Sequence, residues 1–128
     1  MLRRPPLIVA SLFSREFRLK LRRLPEDFRV EELTSATADG GPFALYRLSK
    51  RSLTTMEAID RLAVTLRVPK SRVAYGGLKD KHAVTSQYVT VERGPRGNHG
   101  TDWWSLEYLG QRSRPFHAHD IAANRFEL

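Results

Sequence analysis

The segment from residue 76 to residue 87 combines a flexible turn with a rigid strand, and it is the strongest local constraint on the fold. The Gly-Gly pair at 76–77 permits backbone angles closed to other residues, so the chain can turn sharply there. A β-branched run then predicts a strand over residues 84–91. Between them Asp80 is flanked by Lys79 and Lys81, whose charges favour the ionised carboxylate and lower its pKa. Such an acid suits a nucleophile that faces a polyanion, although an Asp in a solvated turn can also serve simply as a cap.

The rest of the chain predicts further strands and one clear helix. Period-two alternation predicts strands over residues 17–22 and 28–32, and an apolar stretch predicts a strand buried on both faces over 43–48. Thr54 and Glu57 have the spacing of a capping box, so a helix is predicted over 54–66. Its apolar residues recur at helical intervals and are assigned to the core: Leu53, Met56, Ile59, Leu62, Ala63 and Leu66.

Loops rich in glycine and proline separate these elements. They are predicted over residues 34–42 and 93–101, with a turn over 71–74 after Pro69 and a basic loop over 111–114. Further strands are predicted over 103–109 and from Arg125 onward. The sequence therefore predicts an α+β fold, with a mixed, mostly antiparallel sheet and the helix packed on one face.

Composition narrows the classes of function. The net charge of +8 and the pI near 10.4 favour a polyanionic partner, above all nucleic acid. Cysteine is absent, which excludes disulfides and thiolate metal sites. His117 and His119 have only Asp120 near them and lack the further ligands of a zinc site, so no metal is predicted. No apolar run approaches the roughly 20 residues that span a bilayer, so we expect no membrane association.

Three blocks of sequence resemble the TruD family of tRNA pseudouridine synthases. Residues 77–87, Gly-Leu-Lys-Asp-Lys-His-Ala-Val-Thr-Ser-Gln, are similar to its signature Gly-x-Lys-Asp-(Lys/Arg)-x-Ala-x-Thr-x-Gln. Residues 25–32, Pro-Glu-Asp-Phe-Arg-Val-Glu-Glu, are similar to its Pro-Glu-Asp-Phe-x-Val-x-Glu block. Residues 124–126, Asn-Arg-Phe, are similar to its Asn-x-Phe element. The blocks stand in the family's order, which makes the resemblance specific.

The resemblance implies isomerisation of uridine to pseudouridine in tRNA, at position thirteen in the D-arm if the chain behaves like bacterial members. It places Asp80 at the catalytic position, and no cofactor or metal is required. Phe126 aligns with an aromatic that could stack on the flipped base, and Asn124 could read a uracil edge or hold the loop around Asp80. Arg22 could pair with a phosphate or a carboxylate. Lys79 could bind phosphate near the site or be a surface charge.

Two positions depart from the family pattern. Ala123 replaces the glycine that usually precedes the Asn-x-Phe element, and Asp120 stands where glycine is frequent. An acid at Asp120 would be mildly repulsive to RNA, and its side chain disfavours the close backbone approach that a glycine allows. Neither departure concerns Asp80.

Family members are much longer than 128 residues, so we expect residues 16–128 to be the N-terminal part of a TruD-like catalytic domain. Residues 1–15 are predicted to be a poorly ordered lead-in, and the remaining catalytic sheet with an inserted subdomain would follow the last residue. A naturally reduced protein is the alternative to a fragment. The functional alternatives are a non-catalytic RNA-binding module and an inactive piece of the enzyme. A cytoplasmic location is expected, and the oligomeric state stays open.

Overall fold

A computed structural model describes residues 8–9, 28–79 and 84–127. Across these ranges one α-helix and an eight-stranded sheet are formed. In chain order the elements are β1 (Ile8–Val9), β2 (Arg29–Thr34), β3 (Phe43–Arg51), α1 (Thr55–Leu66), β4 (Val73–Tyr75), β5 (Val84–Glu92), β6 (His99–Gly100), β7 (Trp104–Arg112) and β8 (Ile121–Glu127). Short 3-10 turns at Lys70–Arg72 and Ala118–Asp120 lead into β4 and β8. The predicted α+β class is confirmed.

The sheet is mixed but mostly antiparallel. Its strand order is β1-β8-β2-β5-β3-β7-β6, and β4 also pairs with β5. Strands β2 and β5 run parallel, whereas the other pairs within the described ranges are antiparallel. Strand β2 borders β5 at residues 84–86, and β4 borders it at residues 89–91. The start of β5 therefore lies in the interior of the sheet, between β2 and β3, immediately after residues 80–83.

Helix α1 begins where the capping box predicts. The Thr54 hydroxyl accepts a hydrogen bond from Glu57 N, and the Glu57 carboxylate accepts one from Thr54 N. The buried side of α1 packs against β3, β5 and β7, and each fully buried aliphatic side chain stabilises the fold by about 1.5–3 kcal/mol. The core on this face contains the following residues: Ala44, Tyr46, Leu48, Leu53, Ala58, Ile59, Leu62, Val89, Val91, Trp104 and Leu106.

The assignment of Met56 to the core is wrong. Its side chain is 44% exposed, and its sulfur contacts the Tyr75 hydroxyl at 3.3 Å. Successive helical residues are separated by about 100°, and Thr55 already occupies the buried stripe. Met56 therefore falls at the rim of that stripe, which spacing alone did not reveal.

Three predicted loops or turns contain strand instead. The turn predicted over 71–74 is a turn only as far as Arg72 and then continues into β4, and the loop over 93–101 includes the short strand β6. Strand β7 continues to Arg112, into the predicted basic loop, because it pairs with β3 as far as Phe43. Cross-strand partners distant in sequence decided these boundaries.

Several predictions fall on residues that the structure does not describe. The predicted strand over 17–22, including Arg22, and the loop residues Asp80 and Lys81 lie outside the described ranges. Of the predicted lead-in, Ile8 and Val9 pair with β8. None of the described helices is long and apolar enough to cross a membrane.

Candidate active site

A buried ion pair joins β2 to the residue that precedes Asp80. Lys79 Nζ lies 2.8 Å from Glu32 Oε2, and both side chains are fully buried. The other carboxylate oxygen of Glu32 accepts a hydrogen bond from Tyr88 N at 2.9 Å. This bond falls between the stretch of β5 that pairs with β2 and the stretch that pairs with β4. Glu32 thus connects β2, β5 and the segment that leads to Asp80.

The first residue of α1 fixes the backbone of the same segment. Thr55 Oγ1 accepts a hydrogen bond from Lys79 N at 2.7 Å and donates one to Gln87 Oε1 at 3.0 Å. The amide of Gln87 in turn donates to Gly77 O at 3.1 Å. All of these side chains are buried, so water cannot replace the bonds without opening the core. Helix, strand and segment 77–79 therefore form one hydrogen-bonded unit.

A second buried lysine contacts this unit. Lys50, on β3, is 2% exposed. Its ammonium donates to Leu53 O at 2.7 Å and makes a longer contact of 3.5 Å with Lys79 O. The carbonyl of Lys79 is therefore held from β3, while its amide N–H is held from α1.

The far end of the Asp80 segment is anchored by the sheet. Val84 N donates to Phe28 O at 2.8 Å, and Val84 is paired with Arg51 on β3. Residues 80–83 thus connect two fixed points, Lys79 in the buried network and Val84 between β2 and β3. The sequence predicted a turn on the edge of a rigid strand, and the structure supplies a rigid attachment on both sides.

The third sequence block lies beside the first. Strand β8 pairs with β2 so that Phe126 is opposite Val30 and Asn124 is opposite Glu32. The rings of Phe126 and Phe28 stack with their centroids 6.0 Å apart and an interplanar angle of 2°. Asn124 is 3% exposed, and its Oδ1 has no hydrogen-bond partner among the described residues. The described parts of the three blocks, separated in sequence, therefore converge on one region of the sheet.

Comparison with known proteins identifies the family to which these blocks belong. The model of the tRNA pseudouridine synthase D (TruD) family matches residues 14–128. The chain belongs to the TruD family. It is 39% identical over 115 residues to a tRNA pseudouridine synthase D from Anaeromyxobacter sp. strain Fw109-5, covering 84% of this chain and 32% of that protein. It is 35% identical over 112 residues to a probable tRNA pseudouridine synthase D from Methanococcus maripaludis, covering 86% of this chain and 29% of the relative.

A solved structure gives the same result for the fold. A Methanosarcina mazei protein assigned as a tRNA pseudouridine synthase D superposes with a TM-score of 0.75 at 25% identity, covering 81% of this chain and 25% of that one. The chain thus spans about a third or less of the length of these TruD relatives.

The TruD block residues occupy different environments. Lys79 is not a surface charge, because it is buried against Glu32 and is 3% exposed. Phe126 is 1% exposed and is stacked on Phe28, while Asn124 has an acceptor atom to spare. The structure brings Lys79, Asn124 and Phe126 into contact with β2.

The departure at Asp120 has a structural explanation. Its carboxylate forms a two-pronged hydrogen bond with the Arg112 guanidinium, at 2.9 and 3.2 Å, and also accepts from His117 N. The side-chain hydrogen bonds from Arg112 hold the pKa of Asp120 below its ordinary value. Arg114 Nη2 lies 3.8 Å from Asp120 Oδ1. The negative charge expected to repel RNA is therefore met by two arginines, and Asp120 closes the turn before β8.

Sequence reasoning assigned no role to the residues that hold Lys79 in place. Glu32 and Gln87 stand at fixed positions of the TruD blocks, and those positions could have indicated that the two residues support the site. Thr55 and Lys50 carry no such signal, since one follows a helix cap and the other is a lysine on a strand. No group of three or more acidic, histidine or cysteine side chains in the described ranges could hold a metal ion.

Proposed function

We propose that the protein containing this chain isomerises uridine to pseudouridine in tRNA, with Asp80 as the catalytic carboxylate. The observation that supports the proposal is the double anchoring of residues 80–83. Lys79 is held by Glu32 and Thr55, and Val84 is held in the sheet. A nucleophile must be positioned precisely against its target, since small displacements cost large factors in rate.

The chemistry requires a carboxylate at this position and little else from the chain. The bond between C1′ and N1 of the uridine breaks, the base rotates, and a bond forms between C1′ and C5. The hydrogen on C5 leaves as a proton, and N1 gains one. Asp80 would form or assist a covalent intermediate with the sugar or the base. The target base must first leave its stack, which costs about a few kcal/mol.

Two residues of β8 are proposed to receive the extruded base. The unpartnered Oδ1 of Asn124 is an acceptor that suits the N3–H group of uracil. Phe126 offers an aromatic face, and stacking on a base contributes about 1–3 kcal/mol. Phe126 is 1% exposed and stacks on Phe28, so base stacking there requires the side chains around its ring to move aside.

Lys79 takes a positioning role in this proposal. Its ammonium neutralises Glu32 inside the core, and its backbone is bonded on both sides. Arg22 is proposed to pair with a phosphate or a carboxylate. The substrate is tRNA, the proposed target is the uridine at position thirteen, and the proposed location is the cytoplasm, where tRNA is abundant.

The test measures release of tritium from tRNA labelled at C5 of uridine, using the full-length protein. Wild type should release tritium, and Asp80→Asn, which keeps the shape but not the charge, should release none above background. A tRNA with cytidine at position thirteen tests the site and should give no release. Equal release by wild type and Asp80→Asn would refute the catalytic role. Binding of tRNA by both proteins without release by either would favour a non-catalytic RNA-binding module.

A further inference from the structure

An exposed tryptophan stands at the same end of the sheet as Val84, the first residue of β5. Trp103 is 49% exposed, whereas its neighbour Trp104 is buried in the core at 3%. The Arg51 guanidinium lies over the Trp103 ring, 5.2 Å from its centroid. Arg51 is itself fixed, because its Nε donates to Asp102 O at 3.2 Å. The indole therefore has a defined orientation, with one face covered by a cation and much of the ring open.

The position of this pair relates it to the candidate active site. Arg51 N donates to Trp103 O at 3.0 Å, and Arg51 pairs with Val84 across β3 and β5. Since neighbouring strands lie about 4.8 Å apart, the Trp103 backbone is about 10 Å from Val84. A cleft of about 150 Å³ includes Val84, Arg51 and Trp103 among its lining residues. The cleft thus runs from the tryptophan to the residue that follows the Asp80 segment.

We infer that Trp103, backed by Arg51, is a stacking platform for a nucleotide that flanks the target uridine. This inference rests on the proposed function. Aromatic rings beside a basic groove are the usual means of holding unstacked bases, and arginine adds a cation–π contribution. Asp102 also lines the cleft, which disfavours a phosphate there and favours the planar face of a base. A flipped uridine leaves its neighbours without a stacking partner, and Trp103 would replace that partner.

The positive charge of the chain favours RNA over a protein as the partner that binds at Trp103. The chain carries +8, so it attracts polyanions before any specific contact is made. The open ring stands beside an arginine and in the same cleft as Val84, the residue that follows the Asp80 segment in the chain. The competing occupant is a protein surface, either of a partner or of the part of the full-length protein outside this chain, and the experiment separates these from RNA.

The experiment measures tRNA affinity in an Asp80→Asn background of the full-length protein, so that turnover does not interfere. The variants are Trp103→Ala, Trp103→Phe and, as a matched control, Val64→Ala, which removes an apolar side chain that is 79% exposed on α1. Trp103→Ala should weaken binding about 5- to 150-fold, equivalent to about 1–3 kcal/mol. Trp103→Phe should retain most of the affinity, and Val64→Ala should retain all of it. The dependence of affinity on salt should keep its slope in Trp103→Ala, because no phosphate contact is lost.

Tryptophan fluorescence gives a second measurement that does not depend on the folding of the alanine variant. Binding of tRNA should quench the emission of the Asp80→Asn protein, and the amplitude of the quenching should be smaller in Trp103→Phe, because the contribution of Trp103 is lost. Unchanged affinity in Trp103→Ala, together with a quenching amplitude in Trp103→Phe equal to that of the Asp80→Asn protein, overturns the platform. If wild type isomerises tRNA normally in that case, the proposed function stands and only the platform is lost. If wild type neither binds nor modifies tRNA, both fail.

Discussion

Removal of the Lys79 ammonium is the sharpest test of the buried network. In Lys79→Met the new side chain has a similar length and no charge, so the shape of the core is largely kept. The Glu32 carboxylate then keeps its bond from Tyr88 N but loses the cation at 2.8 Å. The backbone bonds of Lys79 to Thr55 and Lys50 do not involve the deleted atoms.

The expected magnitude follows from that geometry. Two unit charges 2.8 Å apart attract by about 6 kcal/mol at an effective dielectric constant of about 20. Part of this attraction offsets the cost of taking both charges out of water, and breaking a buried pair by removing one partner costs about 3–5 kcal/mol. A domain of this size has a free energy of unfolding of about 5–15 kcal/mol, so the loss is a large fraction of the total.

Urea unfolding followed by tryptophan fluorescence measures this loss, and the chain offers a matched control. Lys70 pairs with Asp60 at 2.9 Å, but these side chains are 62% and 56% exposed. Lys70→Met should therefore cost only about 0–1 kcal/mol. The double variant Glu32→Gln/Lys79→Met keeps an acceptor for Tyr88 N and removes both charges of the pair, so it should be more stable than Lys79→Met alone. If Lys79→Met is no more destabilising than Lys70→Met, the network does not hold the segment as described.

Two further predictions address the site and its flank. Thr55→Val removes the hydroxyl that links Lys79 N to Gln87. We expect the free energy of unfolding to fall by about 1–3 kcal/mol and kcat in the tritium-release assay to decrease. Thr55→Ser keeps the hydroxyl and should keep the stability and the kcat of wild type. Side-chain hydrogen bonds from Arg112 are the main reason that the pKa of Asp120 lies below 3.8. The charged carboxylate therefore stabilises the fold above that pH, and the stabilisation is lost as the pH falls through the folded-state pKa. Asp120→Asn should accordingly flatten the acid limb of the unfolding curve measured between about pH 5 and pH 2; an acid limb identical to wild type would contradict the role of Arg112.

Local sequence patterns predicted an element correctly where a residue's neighbours in sequence decide its conformation. The capping box of Thr54 and Glu57 placed the start of α1, and period-two alternation over residues 28–32 placed β2. The same patterns misplaced Met56, which lies at the rim of the buried stripe. They also ended β7 too early, because a strand extends as long as its partner strand offers hydrogen bonds.

The sequence by itself determined the family and the α+β class, because these depend on residue order and on local patterns of apolar and polar residues. Only the tertiary structure decided that Lys79 is a buried partner of Glu32 and not a surface cation. It also decided that Thr55, Gln87 and Lys50 hold the backbone beside Asp80. The physical reason is that a buried charge needs an opposite charge or several hydrogen bonds close by. Those partners come from separate strands and a helix that only folding brings together.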